Sequence, residues 1–271
     1  MSNIDKINSP DFFILGPQKT GTSSLFFSLS EHPELTGSSK KEPHFFDNGN
    51  NYQNGNKWYE SFFEGGNGIK FEATPNYFSV PISRIRMRNK GIGDIKPVKF
   101  VLILRDPCDR FISHYSHFRR YNKIVASNPK ALDEFLNEKR PKTFSREWIG
   151  EPRSLEEVLL KKDREHLVSC GEYIINLKHW HALFGEKNFL MVDYNDLLTN
   201  YEGVCNQIFD FVGASSFVSK NYQMNTDSYW AKRSGLGIDV SEEQKLMIKN
   251  YYKPYNEALF DYINKDLGWN N

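Results

Sequence analysis

The chain has 271 residues, 39% hydrophobic and 25% charged, enough for one large α/β domain with an ample core. Thirty-five Lys and Arg against thirty-four Asp and Glu leave a formal charge of +1, so no global field draws in nucleic acid or an anionic membrane. Cys108, Cys170 and Cys205 are odd in number and lack C-x-x-C spacing, which argues against a disulfide framework and a structural zinc site. The start, Met1 to Lys6, has no charged-then-apolar leader pattern, and no apolar run approaches the ~20 residues of a membrane span. A cytoplasmic protein is expected.

Phe12 to Leu15 reads as a strand, and it feeds Gly16-Pro17-Gln18-Lys19-Thr20-Gly21-Thr22-Ser23-Ser24, a glycine-bounded turn followed by hydroxyl residues that open a helix to Ser30. Turn, hydroxyls and free helix amides together suit a phosphate. The spacing approaches the nucleotide-triphosphatase loop G-x-x-x-x-G-K-[ST], but Thr22 stands where that motif requires lysine, and the loop's own lysine is Lys19. Ser38 to Asp47 crowds small, basic, acidic and aromatic residues into one loop. Asn48 to Asn56, rich in Asn and Gly, reads as a surface loop, and Lys57 to Phe63 as a short amphipathic helix. Ile69 to Thr74 is a candidate strand, and Ser79 to Asn89 a surface helix whose row Arg84, Arg86, Arg88 reads as a solvated face.

Val98 to Leu104 is the strongest strand signal, a near-continuous apolar run of the kind buried on both faces of a parallel sheet. It ends at Arg105-Asp106-Pro107, where Asp106 and Pro107 start a helix over Cys108 to Tyr121. Residues 122–153 read as a polar insertion with one helix around Leu132 to Lys139. A capping box at Ser154 to Glu157 opens a helix to Lys162, and Glu172 to Phe184 is another helix. Then come a strand over Asn188 to Val192, a helix over Tyr201 to Val212 closed by Gly213, an irregular stretch over 214–237, and a last helix after Ser241. This alternation predicts an α/β fold: a doubly wound, mainly parallel sheet with helices on both faces and a P-loop-like phosphate-binding loop, residues 1–271 forming a single domain. In such sheets ligands bind beyond the carboxyl ends of central strands, where the Gly16 loop and Arg105 both fall.

At these residues the chain resembles the sulfotransferases that use 3′-phosphoadenosine 5′-phosphosulfate (PAPS), in their heparan-sulfate-type and bacterial small-molecule branch. Gly16 to Thr22 is similar to their 5′-phosphosulfate loop, Leu104 to Tyr115 to their 3′-phosphate segment, and Lys40 to Asp47 to the loop after the first helix. The resemblance implies a sulfotransferase with PAPS as donor and adenosine 3′,5′-bisphosphate (PAP) as product, working by in-line transfer without a metal. It assigns the 5′-phosphosulfate to Gly16, Gln18, Lys19, Thr20, Gly21, Thr22 and Ser23, with Lys19 on the departing phosphate. It assigns the 3′-phosphate to Arg105 and Ser113, and makes Glu42 or His44 the acceptor's base. Lys232 and Arg233 match a late phosphate-gripping loop in composition only.

One departure bears on the acceptor. Phe71 to Phe78 resembles a segment that carries lysine at the Ala73 position in heparan-sulfate enzymes, and its absence here points to a small-molecule acceptor. Residues 122–153 and 214–237 are then expected to cover substrate and cofactor. A P-loop nucleotide kinase is the alternative, as is a polysaccharide sulfotransferase. The kinase would require lysine at Thr22 and a magnesium-binding acid directly after the Val98 to Leu104 strand, where Arg105 stands. His114 and His117, one helical turn apart, lack a third ligand at metal spacing.

Overall fold

A computed structural model describes residues 7–8, 10–127, 154–160, 166–219 and 239–270. In chain order its elements are β1 (Phe12–Leu15), α1 (Thr22–Leu29), β2 (Leu35–Gly37), α2 (Gly49–Gln53), α3 (Gly55–Glu60), β3 (Ile69–Ala73), α4 (Asn76–Ser79), α5 (Pro81–Asn89) and β4 (Lys99–Leu104). There follow α6 (Pro107–Ser127), α7 (Leu155–Leu160), α8 (His166–Ser169), α9 (Tyr173–Phe184), β5 (Phe189–Asp193), α10 (Tyr194–Thr199), α11 (Tyr201–Val212) and α12 (Glu242–Ile263). The chain divides into two compact units, Met1–Arg105 with Ile175–Met224, and Asp106–Ile174 with Asn225–Asn271.

The first unit holds a five-stranded sheet in the order β2-β3-β1-β4-β5, every pairing parallel. Strand β1, and β4 after Lys99, are apolar because both faces are covered. Phe12, Ile14, Phe71, Ala73, Val101 and Ile103 pack in one cluster with Leu25, Phe26 and Leu29 of α1 and Val204, Ile208 and Phe209 of α11. On the opposite face Phe13 stacks on Phe100 with ring centroids 5.7 Å apart, and Phe100 meets Trp180 and Phe184 of α9 at 5.4 and 5.0 Å. Strands β1 and β4 are neighbours, Leu15 opposite Leu102, so the turns that follow them leave the same edge of the sheet side by side. That places the Gly16 loop next to Arg105.

The second unit is helical. Phe111, Tyr115 and Phe118 of α6 bury against Leu155, Val158 and Leu159 of α7, Leu167 and Val168 of α8, and Ile248 and Tyr252 of α12. Arg110 lies fully buried among them, donating to the Leu167 carbonyl at 2.5 Å and hydrogen-bonded to His114 Nδ1 at 3.1 Å. The expected caps form: Asp106 accepts the Cys108 amide at 2.7 Å, and Ser154 and Glu157 close a reciprocal box. Such a cap is worth about 1 kcal/mol. Among the described residues no helix is long and apolar enough to cross a membrane.

Three local expectations change. Asn48 to Asn56 is helical rather than a surface loop, because the Asn48 side chain accepts from the amides of Asn50 and Asn51 and so starts α2. Helix α6 continues to Ser127, past the expected end at Tyr121. The row Arg84, Arg86, Arg88 is not a solvated face. Arg84 is buried and donates to Asn176, Arg86 donates to the Phe46 carbonyl at 2.9 Å, and Arg88 pairs with Asp94. The expected helix near Leu132 lies outside the described residues.

Candidate active site

The loop leaving β1 is shaped by backbone geometry. Lys19 has φ 77° and Gly21 φ 87°, two left-handed positions either side of Thr20, a pattern that turns successive amides inward as an anion nest. A Cβ on Gly16 would stand 2.6 Å from Thr20 Oγ1 and 3.0 Å from the Ile103 carbonyl, so only glycine lets the loop lie against β4. Thr20 is fully buried and its hydroxyl donates to the Pro17 carbonyl at 3.0 Å, which spans the loop from inside. Gly21 is the N-cap of α1 and no side-chain hydrogen bond caps that end, so the first helical amides, of Thr22 and Ser23, face a prospective anion. Arg105 Nη1 donates to the Lys19 carbonyl at 3.1 Å, and its guanidinium lies 4.5 Å from the Tyr194 ring centroid. A planar cation held against an aromatic face beside this loop has the geometry to take a phosphate or carboxylate.

The second loop carries Glu42 and His44, both non-glycine residues at positive φ, 61° and 51°. Such strain persists only where the surroundings impose it, and it clusters at functional sites. Phe45 and Phe46, both fully buried, supply the anchor: Phe45 stacks on Tyr59 at 4.7 Å, and Phe46 meets Tyr77 at 5.4 Å and Phe13 at 6.4 Å. With the aromatics held inward, the polar side chains form a line. Lys41 Nζ pairs with Glu42 Oε1 at 2.7 Å, His44 Nε2 lies 3.3 Å from Glu42 Oε2, and His44 Nδ1 lies 2.8 Å from Asp47 Oδ2.

This line settles which groups carry charge. Burial works against ionising Glu42, but the hydrogen bond from His44 and the Lys41 ammonium outweigh it and hold the carboxyl at about 2. Burial also opposes charge on His44, yet its hydrogen bonds to Asp47 and Glu42 raise it to about 9. At neutral pH Glu42 is therefore a carboxylate and His44 an imidazolium donating from both nitrogens.

Stability should follow these values. His44 keeps its proton to about pH 9 when folded against an ordinary 6.5, so its contribution is complete below about pH 6.5 and is lost as pH rises through about 9. Glu42 sets the acid edge, its contribution present above 4.5 and lost as pH falls toward about 2. Denaturant unfolding between about pH 6 and pH 9.5 should show wild type losing stability with a slope that His44→Asn lacks. Parallel curves would contradict the ion-paired histidine.

Both loops dock on α4. Gln18 Nε2 donates to Asn76 Oδ1 at 2.9 Å, and the next residue, Tyr77, accepts from the Phe45 amide at 2.9 Å and the Phe46 amide at 3.4 Å. Asn76 and Tyr77 thus couple the Lys19 loop to the Glu42 loop. Ser113 lies in the second unit on α6, buried, its hydroxyl without a hydrogen-bond partner among the described residues. Lys232 and Arg233 lie outside the described residues. So does most of the two expected covering segments, namely 128–153 and 220–237. A cavity of about 360 Å³ opens between α1 and α11 beside Ser28, Tyr201, Cys205, Phe209 and Phe217, and none of the described candidate residues lines it. Asp47, Asn76 and Tyr77, which sequence reasoning did not single out, join the candidates.

A family model described as a sulfotransferase domain matches residues 9–246. The chain is 26% identical over 274 residues to the bifunctional heparan sulfate N-deacetylase/N-sulfotransferase 2 of Bos taurus, covering 92% of this chain and 29% of that protein. It is 28% identical over 226 residues to the bifunctional heparan sulfate N-deacetylase/N-sulfotransferase 1 of Caenorhabditis elegans, covering 81% and 24%. The chain therefore spans less than a third of the length of these relatives. Among solved structures it is similar to a sulfotransferase from Alicyclobacillus acidocaldarius, with a TM-score of 0.70 and 22% identity over 98% of this chain and 100% of that one. It is also similar to the sulfotransferase domain from the curacin biosynthetic pathway, with a TM-score of 0.50 and 12% identity over 92% and 99%. At these identities the structural likeness shows the fold.

Proposed function

The chain belongs to the sulfotransferase family whose domain matches residues 9–246, and we propose that it moves a sulfuryl group from PAPS to a hydroxyl or amine of a small acceptor. The observation that carries this reading is the coupling of two strained loops through Asn76 and Tyr77, one an anion nest containing Lys19 and the other a fixed carboxylate, Glu42. Because the matched region runs across both compact units, it supports one sulfotransferase domain rather than two modules.

The residues present fit the donor: the Gly16 to Ser23 loop offers amides at a bare helix start, and Arg105 offers a fork-shaped cation. PAPS supplies a sulfuryl group on a phosphate leaving group. Lys19 and the loop amides offset the charge that builds on that phosphate, a task a magnesium ion performs in kinases, so turnover is expected to survive chelator. Arg105 takes the 3′-phosphate. Glu42 accepts the acceptor's proton, since His44 already holds one at neutral pH. A carboxylate this weakly basic suits a late proton transfer, when the acceptor oxygen has bonded to sulfur and become acidic.

A small acceptor is favoured by Ala73, fully buried in the apolar cluster where the resembling segment carries lysine. A polysaccharide amine is the second reading, favoured by the names of the relatives. Labelled PAPS offered with phenols, alcohols and de-N-sulfated heparan separates the two. Donor recognition is tested by calorimetry. PAP should bind wild type far more tightly than AMP, and Arg105→Ala should weaken PAP by ~1.5–3 kcal/mol. AMP lacks the 3′-phosphate, so it reads the loop alone and should change little. Equal affinity of wild type for PAP and AMP would sink the assignment.

A further inference from the structure

We propose that Glu72 is a positioning residue for the Glu42 and His44 loop: its fully buried side chain accepts from the Tyr59 hydroxyl and so fixes the ring that stacks on Phe45 and meets Phe46 edge-on, the two residues that follow His44. The role deepens the sulfotransferase reading and rests on it for what the loop does, though not for how the loop is held.

Glu72 lies near the end of β3 with no exposed surface. Tyr59 donates to its Oε1 and Thr74 Oγ1 donates to its Oε2 at 2.8 Å. Tyr77, also fully buried, accepts from the amides of Phe45 and Phe46, the two residues that directly follow His44. Tyr59 reaches the same two residues by packing, because it stacks on Phe45 at 4.7 Å and meets Phe46 edge-on at 5.2 Å. Glu72 therefore acts on Phe45 and Phe46 through the Tyr59 ring.

The Tyr59 and Thr74 hydroxyls both donate to Glu72, so the Tyr59 ring is held at its rim as well as by its stacking. Burying an acid at the end of a core strand is unfavourable, and an apolar side chain would fill the space without that cost. Burial does push the Glu72 carboxyl up, to about 7; the hydrogen bonds from Tyr59 and Thr74 and the charge of His44 resist, while Asp47 adds to the rise. The return is restraint where it is needed, since Glu42 and His44 occupy left-handed backbone that the loop does not favour unaided.

The test compares wild type with Glu72→Gln and Tyr59→Phe by amide hydrogen exchange, calorimetry with PAP, and steady-state kinetics on the best small acceptor found with labelled PAPS. The side-chain amide introduced by Glu72→Gln would donate from one side and so reverse one of the two hydrogen bonds. Tyr59→Phe removes the hydroxyl that Glu72 accepts but keeps the stacked ring, which covers the case in which Glu72→Gln does not fold. Expected are Phe45 and Phe46 amides exchanging at least about fivefold faster and kcat down about tenfold or more, with KM and PAP affinity within about twofold. Exchange unchanged at Phe45 and Phe46 in folded variants overturns the proposal, as does a kcat loss matched by an equal loss of PAP binding. Faster exchange in a protein that transfers nothing to any acceptor leaves the positioning standing and removes the sulfotransferase reading.

Discussion

Glu42→Gln is expected to lower kcat by ~10²–10⁴-fold while PAP affinity stays near that of wild type. Gln keeps the shape of the side chain but only one acceptor oxygen, so one of Lys41 and His44, which now contact Oε1 and Oε2 at 2.7 and 3.3 Å, loses its acceptor. What it cannot do is take a proton. A group that works only as the acceptor oxygen sheds its hydrogen contributes to the transition state and not to donor binding, so kcat and kcat/KM should fall together. Rapid-mix turnover paired with calorimetry reads the two quantities separately. Near-full activity in Glu42→Gln beside a dead His44→Asn would transfer the role of base to the histidine. That outcome would also require His44 to lose the proton which Asp47 and Glu42 now hold in place to about pH 9.

Much of the framework behind this experiment is legible in the sequence. Strands β1 and β4 announce themselves because a parallel strand covered on both faces reads as a near-continuous apolar run. Asp106, Ser154, Gly213 and Ser241 act as caps as their chemistry predicts. Reading failed where one residue type has two uses. Asn48 looks like a loop former and is a helix cap, and Arg86 looks like a solvated charge yet braces the Phe46 carbonyl and lies 4.6 Å from the Tyr52 ring.

Long-range partners left no trace at all. Gln18 and Asn76 are 58 residues apart, and Phe45 and Tyr77 are 32 apart, and no periodicity connects them. Asp47 did leave a signal, a carboxylate three residues after a histidine within one tight loop, but the nearer Glu42 drew the inference first. The positive φ of Lys19, Glu42 and His44 could not be foreseen, because a side chain at such a position gives none of the warning that glycine does.

Lys19→Ala should damage both turnover and binding, which distinguishes it from Glu42→Gln. A cation beside the departing phosphate acts on charge already present in the bound nucleotide and on charge that grows as the sulfuryl group leaves. Removing one preorganised stabiliser of developing negative charge is typically worth ~10²–10³-fold in kcat. Loss of a charged hydrogen bond should also weaken PAP by ~1.5–3 kcal/mol. The backbone supplies an internal control. Lys19 sits at φ 77°, where alanine is as strained as lysine and glycine is not, so Lys19→Gly should be more stable than Lys19→Ala by ~1 kcal/mol and equally inactive. Stability and turnover then move independently across the pair, as expected if the strained geometry serves to aim the ammonium and the charge does the chemistry. Thermal unfolding, PAP calorimetry and turnover on all three proteins decide it: Lys19→Ala turning over within about tenfold of wild type would show that the loop amides and Arg105 suffice and that Lys19 is not the leaving-group cation.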